Sequence, residues 1–424
     1  MLSVHEALEH CLAAALEVDV ETVPIEAALS RILVEEVTAP TPLPPWDNSA
    51  MDGFAVVASD LTAAGEDDCF ASPEDGSDTP GVVLEVLETI PAGAVPTLRV
   101  RPGTCARIMT GAPMPEGADT VVMREYTENL PDGRVRITTG ATRGQHIRLQ
   151  GEEVGAGTVV LRAGEVLSPS AIGLCAAVGR VEVQVARRLR VGIVSTGDEI
   201  VPPGQPLGPG KIHSSNTHAL SGWIRACGAT PVDCGIAPDT VEGTRRAFQL
   251  AINCDVVVST GGVSVGDFDV VRQALIDEGA QMRFWKVRVK PGKPLAFGII
   301  GGRPAFGLPG NPVSCQVGFL QFVRPFLRRS MGDSRPFLPV ADATLSTPVK
   351  KRPGRAELVR VSLEWAGGAL VATPTGSQSS GQQTSMVLAD GLMLLAPDQE
   401  SLEAGAGVKV QLLEGGAEVP GYPW

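Results

Sequence analysis

The chain has 424 residues, of which 43% are hydrophobic and 20% charged, and its formal net charge is −13. This is an ordinary globular composition, and the length predicts roughly three domains. The acidic balance excludes nucleic acid as the main partner, because binding a phosphate backbone needs a basic surface.

The first twenty residues carry acids but no lysine or arginine, which is not the pattern of a signal peptide. Leu2, Leu8, Leu12 and Leu16 recur at a helical spacing and predict an amphipathic helix. The longest uncharged run, 304–323, is broken by prolines and glycines, so no membrane segment is expected. The eight cysteines form no CxxC pair, and we expect reduced thiols in a cytoplasmic protein.

The pattern of the chain changes twice. From 40 to about 140 it is typical of short strands and turns, with an acidic stretch at 60–78 that predicts a solvated loop. From about 188 to 329 buried strands alternate with helices, which predicts a parallel sheet with helices on both faces. After Gly332 the short strands and turns return.

In the central part, strands are predicted at 190–195, 229–236, 255–260, 283–289, 296–299 and 303–308. Helices are predicted at 216–228, from Thr240 onward, at 269–279, and from Val313 to about Arg329. Asp239 and Glu242 have the spacing of a capping box at the start of the second helix.

Three turns at strand ends indicate an anion site. Two of them share a Ser-Thr-Gly sequence, formed by Ser195, Thr196 and Gly197 and by Ser259, Thr260 and Gly261, with Gly262 following. The third contains Pro309, Asn311 and Pro312 and leads into the long helix. Parallel strands bring such turns to one carboxyl edge, where backbone N–H groups and helix N-termini can bind phosphate. Ordinary strand-to-helix turns are the alternative interpretation.

A basic stretch follows, with Arg283, Lys286, Arg288, Lys290 and Lys293 and no acid between them. On one strand Lys286, Arg288 and Lys290 would share a face, which could be plain solvated surface. Lys290 and Lys293 flank a Pro-Gly turn, and we interpret these two as anion-binding residues.

Three acids in turns could hold a divalent metal or transfer protons, namely Asp52, Glu199 and Asp269. Carboxylates that bridge Mg²⁺ to phosphates would follow the normal chemistry of that ion. The five histidines form no cluster, so zinc and Ser-His-Asp catalysis are not expected.

Together, seven segments resemble the molybdopterin molybdenumtransferase family, the molybdate-insertion enzymes that include the C-terminal domain of gephyrin. They are PPWDNSAMDGFAV, RIMTGAPMPEGADTVVM, GQHIRLQGEE, VGIVSTGDEI, STGGVSVGDFD, VKPGKPLAFG and GLPGNPVSC, in the family's order, with a weaker match in RPGRAELVR and GSQSS. They cover residues from about 40 to 320.

The resemblance implies a multidomain α/β plus β protein with a doubly wound central domain. Its expected domains are a linking domain (1–36 and 139–177), an inserted β-rich domain (37–138), a molybdopterin-binding α/β domain (178–329) and a C-terminal β-barrel-like domain (330–424). The implied reaction transfers molybdenum from molybdate to adenylylated molybdopterin and releases AMP, with Mg²⁺ required. A homodimer is implied, and the molybdopterin adenylyltransferase is a candidate partner.

The resemblance also implies residue roles. Active-site residues would be Asp52, Thr110, Glu199 and Asp239, with Ser264 and Asp269 beside the phosphoanhydride. The oxyanion would be held by Lys290, Lys293, Arg355, and Ser379 or Ser380. Two positions depart from the family pattern, since Glu153 replaces an Asp and Phe54 replaces a Tyr.

Two alternatives belong to other classes of function. One is a molybdopterin adenylyltransferase or related nucleotide pyrophosphatase, which would share the central domain but not the segments around Asp52 and Thr110. The other is a gephyrin-like scaffold, although the chain has no long linker or second enzymatic domain.

Overall fold

The structure is a computed structural model that describes residues 1–61, 81–261 and 279–413. Two compact units are present, a large unit of residues 1–35, 163–168 and 182–424 and a small unit of residues 36–162 and 169–181. Most of the predicted acidic loop and nearly all of the predicted helix at 269–279 lie outside the described residues. The four-domain bounds stay a prediction.

The described helices are α1 (Val4–Leu12), α2 (Pro169–Ala177), α3 (Asn216–Ala226), α4 (Val241–Ala251), α5 (Pro312–Gly318), α6 (Arg324–Ser330) and α7 (Thr384–Val387). Short 3₁₀ turns lie at Ile25–Ala27, Ala58–Asp60 and Arg124–Tyr126, and a π-helical segment, Phe319–Val323, joins α5 to α6. None of these helices is long and apolar enough to cross a membrane.

The strands of the described residues are β1 (Val20–Pro24), β2 (Val37–Thr38), β3 (Asn48–Ser49), β4 (Gly53–Val56), β5 (Val82–Ile90), β6 (Thr104–Ile108), β7 (Thr120–Met123), β8 (Thr127–Asn129), β9 (Val135–Ile137), β10 (Ile147–Arg148), β11 (Val159–Leu161), β12 (Glu182–Ala186), β13 (Arg190–Thr196), β14 (Ile200–Val201), β15 (Ile212–His213), β16 (Thr230–Ala237), β17 (Val256–Thr260), β18 (Gln281–Lys286), β19 (Val289–Lys290), β20 (Pro294–Ile300), β21 (Arg303–Leu308), β22 (Val340–Leu345), β23 (Ala356–Ala366), β24 (Ala369–Pro374), β25 (Gly391–Leu395) and β26 (Gly407–Leu412).

The large unit contains a six-stranded sheet in the order β16-β13-β17-β21-β20-β18. The first four strands are parallel, and β20 and β18 are antiparallel additions. Because Ser195 is paired with Thr260 and Thr260 with Leu308, the three predicted turns leave the sheet at the same edge. The predicted α/β domain is confirmed.

Helix ends show where local patterns mislead. The N-cap of α4 is Thr240, whose hydroxyl accepts a hydrogen bond from Gly243 N at 3.1 Å. The predicted capping box of Asp239 and Glu242 is therefore wrong, since Asp239 is engaged with Asp198 instead. By contrast, α1 does begin with a capping box, formed by Ser3 and Glu6.

The basic stretch was predicted to form one strand, and this prediction is wrong. Strand β18 ends at Lys286 and β19 begins at Val289, because the chain turns back and Val287 N donates to Lys293 O at 3.1 Å. The alternation nevertheless survives the break. Lys286, Arg288 and Lys290 are exposed, whereas Val287 and Val289 are buried.

The C-terminal strands close into a barrel in the order β23-β24-β22-β26-β25, because β25 pairs back onto β23. Val359, Val361 and Leu363 alternate along β23 and pack in one hydrophobic cluster with Val410 and Met393. This alternation is what one buried face of a strand requires. The predicted C-terminal β-barrel-like domain is confirmed.

In the small unit, a six-stranded sheet has the order β7-β4-β6-β5-β9-β8. Phe54, at the position where the family commonly has a tyrosine, is 3% exposed and packs in the core of this sheet. Its missing hydroxyl therefore leaves no polar group to satisfy in that core.

Candidate active site

A cavity of about 500 Å³ lies at the carboxyl edge of the parallel strands. Its lining includes Ser195, Thr196, Gly197 and Glu199 after β13, Ser214, Ser215 and Asn216 at the start of α3, Asp239 after β16, Thr260 and Gly261 after β17, and Pro309, Gly310, Asn311 and Pro312 after β21. The three turns predicted from the sequence thus line one cavity, the position at which open α/β sheets bind ligands.

Asn216 connects two of these turns. Its amide nitrogen donates to Thr260 Oγ1 and to Gly310 O, both at 2.8 Å, and Thr260 Oγ1 donates onward to Pro309 O at 3.2 Å. Sequence reasoning missed this role, because Asn216 was considered only as a residue at the start of a helix. The signal was an asparagine entering a helix that follows a strand with a Ser-Thr-Gly end.

Close approach of the backbone defines the floor of the cavity. Gly261 has φ +92°, and a Cβ there would lie 2.5 Å from Thr196 O and 2.7 Å from Thr196 Oγ1. Only glycine fits this position without moving the neighbouring turn. Thr196 Oγ1 and Asn216 Oδ1 are buried and have no hydrogen-bond partner among the described residues, so both retain capacity for a ligand or water.

The serines of the two turns are already engaged or enclosed. Ser195 is 1% exposed, and its hydroxyl lies 2.6 Å from Thr217 Oγ1. Ser259 is 2% exposed within β17. The polar groups that these turns offer to a ligand are therefore backbone groups and the Thr196 hydroxyl more than the two serine hydroxyls.

Glu199 and Asp239 contribute carboxylates to the lining of the cavity, here called the acidic rim. Asp198 and Asp239 are locked together, since Asp198 N donates to Asp239 Oδ2 at 3.3 Å and Asp239 N donates to Asp198 Oδ1 at 3.1 Å. The Glu199 carboxylate lies against Gly197, where a Cβ would be 2.5 Å from Oε2. Within the described residues no three His, Cys, Asp or Glu side chains cluster as a complete metal site. Oxygen donors alone are nevertheless the set that suits Mg²⁺, which commonly takes one or two carboxylates and completes its shell with phosphates and water.

The C-terminal barrel also reaches the cavity. Asn311, in the cavity lining, donates from Nδ2 to Ser380 Oγ at 3.1 Å, and Val313 N donates to Ser380 O at 3.1 Å. Of the predicted serine pair, Ser380 is thus joined directly to a cavity residue, while Ser379 is exposed beside it.

The two predicted lysines differ in their surroundings. Lys290 Nζ lies 3.1 Å from Glu357 Oε2, an acid from outside the basic stretch. Glu357 is distant in sequence and reaches Lys290 because β19 pairs with β23. Lys293 and Arg355 are exposed, and the described residues provide no salt bridge for either.

Asp52 and Thr110 meet in the small unit. Thr110 donates both its backbone N–H and its hydroxyl to Asp52 Oδ1, each at 2.8 Å. The backbone donor first and the hydroxyl second lower the pKa of Asp52 below its usual value, because both favour the ionised form. Glu153 is exposed in the same unit. Gly262, Ser264 and Asp269 lie outside the described residues.

These features define a multidomain class of protein, in which an α/β domain with a ligand cavity at its carboxyl edge is joined to a closed β-barrel and a separate β unit. Three family models match in succession, the MoeA N-terminal region (residues 2–179), the probable molybdopterin binding domain (192–329) and the MoeA C-terminal region (342–413).

Individual relatives agree with the family models. The chain is 38% identical to molybdopterin molybdenumtransferase 2 of Mycobacterium tuberculosis, over 92% of this chain and 94% of that protein. It is 34% identical to molybdopterin molybdenumtransferase of Bacillus subtilis, over 96% and 92%. A crystal structure of the molybdopterin biosynthesis MoeA protein from Pyrococcus horikoshii OT3 superposes with a TM-score of 0.82 at 27% identity, covering 97% of this chain and all of that one. The chain belongs to the molybdopterin molybdenumtransferase family, as predicted, and the adenylyltransferase alternative is not favoured.

Replacing Thr110 by valine should raise the pKa of Asp52, because it removes the hydroxyl donor and keeps the backbone donor. The pKa should stay below the usual aspartate value, since the backbone N–H has the larger effect. A carbon-detected NMR titration of the side-chain carboxylates measures both values. Asp132, whose pKa is lowered by Arg134, is an internal control in the same unit and should not change. An Asp52 pKa that is equal in variant and wild type would contradict this account.

Proposed function

We propose that this enzyme inserts molybdenum from molybdate into adenylylated molybdopterin, forms the molybdenum cofactor and releases AMP. The observation that carries the proposal is the cavity where three glycine- or proline-containing turns meet on the carboxyl edge of the α/β sheet. The names of the relatives, which are molybdopterin molybdenumtransferases, supply the substrate class.

Phosphates of the adenylylated substrate would bind to the turns. Backbone N–H groups there can approach closely, because Gly197 and Gly261 have positive φ and no side chain. The N-terminus of α3 opens into the same cavity through Asn216 and adds a partial positive charge. These fixed donors would stabilise the charge that builds on the AMP phosphate as it leaves.

Mg²⁺ would be held from the protein side by Glu199, with Asp239 on the same rim and Asp52 and Asp269 as the other predicted ligands. When bound it supplies positive charge that screens the phosphates of the substrate. Without substrate, Glu199 and Asp239 repel anions, so the acidic rim favours a ligand that arrives with its own cation.

The oxyanion would bind at the side of the cavity next to the barrel. Ser380 is joined to the cavity through Asn311, and Ser379, Lys293 and Arg355 are exposed donors on the same unit. Lys290 contributes less net charge, because it is paired with the largely buried Glu357. The chemistry of these groups suits a tetrahedral dianion, a description that fits molybdate and tungstate equally.

Purified protein supplied with adenylylated molybdopterin and Mg²⁺ should release AMP when molybdate is added, and much more slowly without it. Glu199→Gln should abolish most of this release, because it keeps the size of the side chain and removes its charge. AMP is quantified by chromatography, with the catalytically unrelated Glu364→Gln as control. AMP release that does not depend on molybdate would sink the proposal and favour a pyrophosphatase.

Lys293→Ala should raise the molybdate concentration needed for half-maximal activity by about ten- to a hundredfold, since one charge-assisted hydrogen bond is worth about 1.5–3 kcal/mol. Lys290→Ala should have a smaller effect, because that ammonium group is already paired with Glu357. Affinity for AMP, measured by calorimetry, should change little in both variants. Loss of AMP affinity with an unchanged molybdate requirement would move Lys293 to the phosphate site.

We also propose a homodimer in which Asp52 and Thr110 of one subunit complete the cavity of the other. The proposal is supported by the family resemblance, which draws on both units: this pair belongs to the small unit, and the turns belong to the large unit. Sedimentation equilibrium should give twice the 44.2 kDa chain mass. Mixing inactive Asp52→Ala and Glu199→Gln proteins should restore part of the activity. An active species at the mass of one chain would rule the arrangement out.

A further inference from the structure

Arg360, on β23, is the largest of the fully buried side chains among the described residues, at 0% exposure. Its Nη2 donates to two backbone carbonyls, Ser377 O at 3.1 Å and Ser379 O at 3.2 Å. Its Nε and Nη1 have no partner within the described residues. Enclosing a guanidinium in this way is costly unless it is well bonded, and burial accordingly lowers the pKa of Arg360.

The segment held by this guanidinium is residues 377–380, here called the serine loop. The backbone of Arg360 holds the same loop a second time, since Arg360 N donates to Gln378 Oε1 at 2.9 Å and Gln378 Nε2 donates to Arg360 O at 3.2 Å. One side of the serine loop is thus fastened to the barrel by both the backbone and the side chain of one residue.

The other side of the serine loop is fastened to the cavity. Ser380 accepts hydrogen bonds from Asn311 Nδ2 and from Val313 N, both at 3.1 Å. Arg360, Ser379, Ser380 and Asn311 therefore form one continuous path from the barrel to the cavity lining. All of these residues belong to the large unit.

The hydrogen-bond partners of Arg360 indicate what this side chain does. The described residues provide it with carbonyl oxygens and no salt bridge, in contrast to Arg31, which pairs with Glu21. One planar NH2 group that donates to two carbonyls two residues apart restricts the position and orientation of the backbone between them. The constraint falls on the peptide between Ser377 and Gln378 and on the peptide between Ser379 and Ser380, next to the two serine hydroxyls.

We propose that Arg360 is a positioning residue for oxyanion binding, which fixes the serine loop so that Ser379 and Ser380 present their hydroxyls to molybdate. This inference rests on the proposed function. Arg360 itself does not contact the substrate in this account. It acts through the carbonyls of Ser377 and Ser379, and its effect falls on molybdate and not on the nucleotide.

The test compares Arg360→Met, which keeps the length of the side chain without donors, with Arg360→Lys, which keeps a charged donor but loses the planar guanidinium. Arg360→Met should raise the molybdate concentration for half-maximal AMP release by about tenfold or more, the loss expected for one or two hydrogen bonds. Arg360→Lys should recover part of that loss. The affinity for AMP should stay within about twofold, a split that general loosening of the fold would not produce.

Two further variants keep the test decisive. Arg324→Met removes another buried arginine that donates to a backbone carbonyl, Pro336 O at 2.6 Å, and should leave the molybdate requirement unchanged. If Arg360→Met does not fold, Gln378→Ala releases the serine loop without touching the guanidinium and should raise the molybdate requirement in the same direction.

Amide hydrogen exchange of residues 377–380 provides a readout independent of activity, and it should be faster in Arg360→Met than in wild type. If the wild-type protein is active, either of two results would overturn the role of Arg360. One is an unchanged rate of hydrogen exchange at residues 377–380 in Arg360→Met. The other is an unchanged molybdate requirement in folded Arg360→Met and Gln378→Ala. Wild-type protein without molybdate-dependent AMP release would instead overturn the proposed function.

Discussion

The carboxyl edge of the α/β sheet depends on the side-chain amide of Asn216. Its two N–H groups bind the end of β17, at Thr260, and the turn after β21, at Gly310. Register brings these strand ends to one edge, but it does not set the distance between the loops that leave them. Because both N–H groups of one planar amide are used, the distance and orientation between the two loops are fixed. The cavity lies between these loops and the turn after β13. Asn216 Oδ1 and the neighbouring Thr196 Oγ1 are buried polar atoms without a hydrogen-bond partner among the described residues. A rigid binding site can keep such atoms for a ligand.

A second set of contacts brings the barrel to this edge. Chain positions about 70 residues apart meet there, since Asn311 and Val313 bind Ser380, and Lys290 binds Glu357 through the pairing of β19 with β23. The acidic chain thereby acquires a local group of donors beside an acidic rim, without a general positive field. Short-range donors of this kind select an anion by geometry, whereas the net charge of −13 disfavours non-specific binding of polyanions.

The sequence was most informative where the relevant interactions are local or periodic. Buried strands followed by Ser-Thr-Gly turns predicted the parallel sheet and its edge, and Gly261 is required there for the reason that makes glycine useful in tight turns.

Prediction from the sequence failed where the structure of a segment depends on a partner that is distant in the sequence. The basic stretch alternates as expected, yet it breaks after Lys286 because Val287 pairs with Lys293. Thr240 took the cap position because Asp239 is bonded to Asp198, across 41 residues. Glu357 and Arg360 carry no local signal for their contacts, so neither the pairing of Lys290 nor the support of the serine loop could be predicted.

Asp52 shows how far electrostatics alone can define a role. Two donors from Thr110 favour its ionised form, and its pKa is therefore lower in the folded protein than in the unfolded chain. The stabilisation from this pair is fully present above the unfolded pKa and is lost only as the pH falls through the lower, folded value. The lowered pKa therefore favours the ionised carboxylate at neutral pH and disfavours the role of general acid. One oxygen, Oδ1, accepts both bonds from Thr110, which leaves Oδ2 to bind a cation or accept a proton from a substrate. The two bonds from Thr110 accordingly favour for Asp52 the role of cation ligand or hydrogen-bond acceptor.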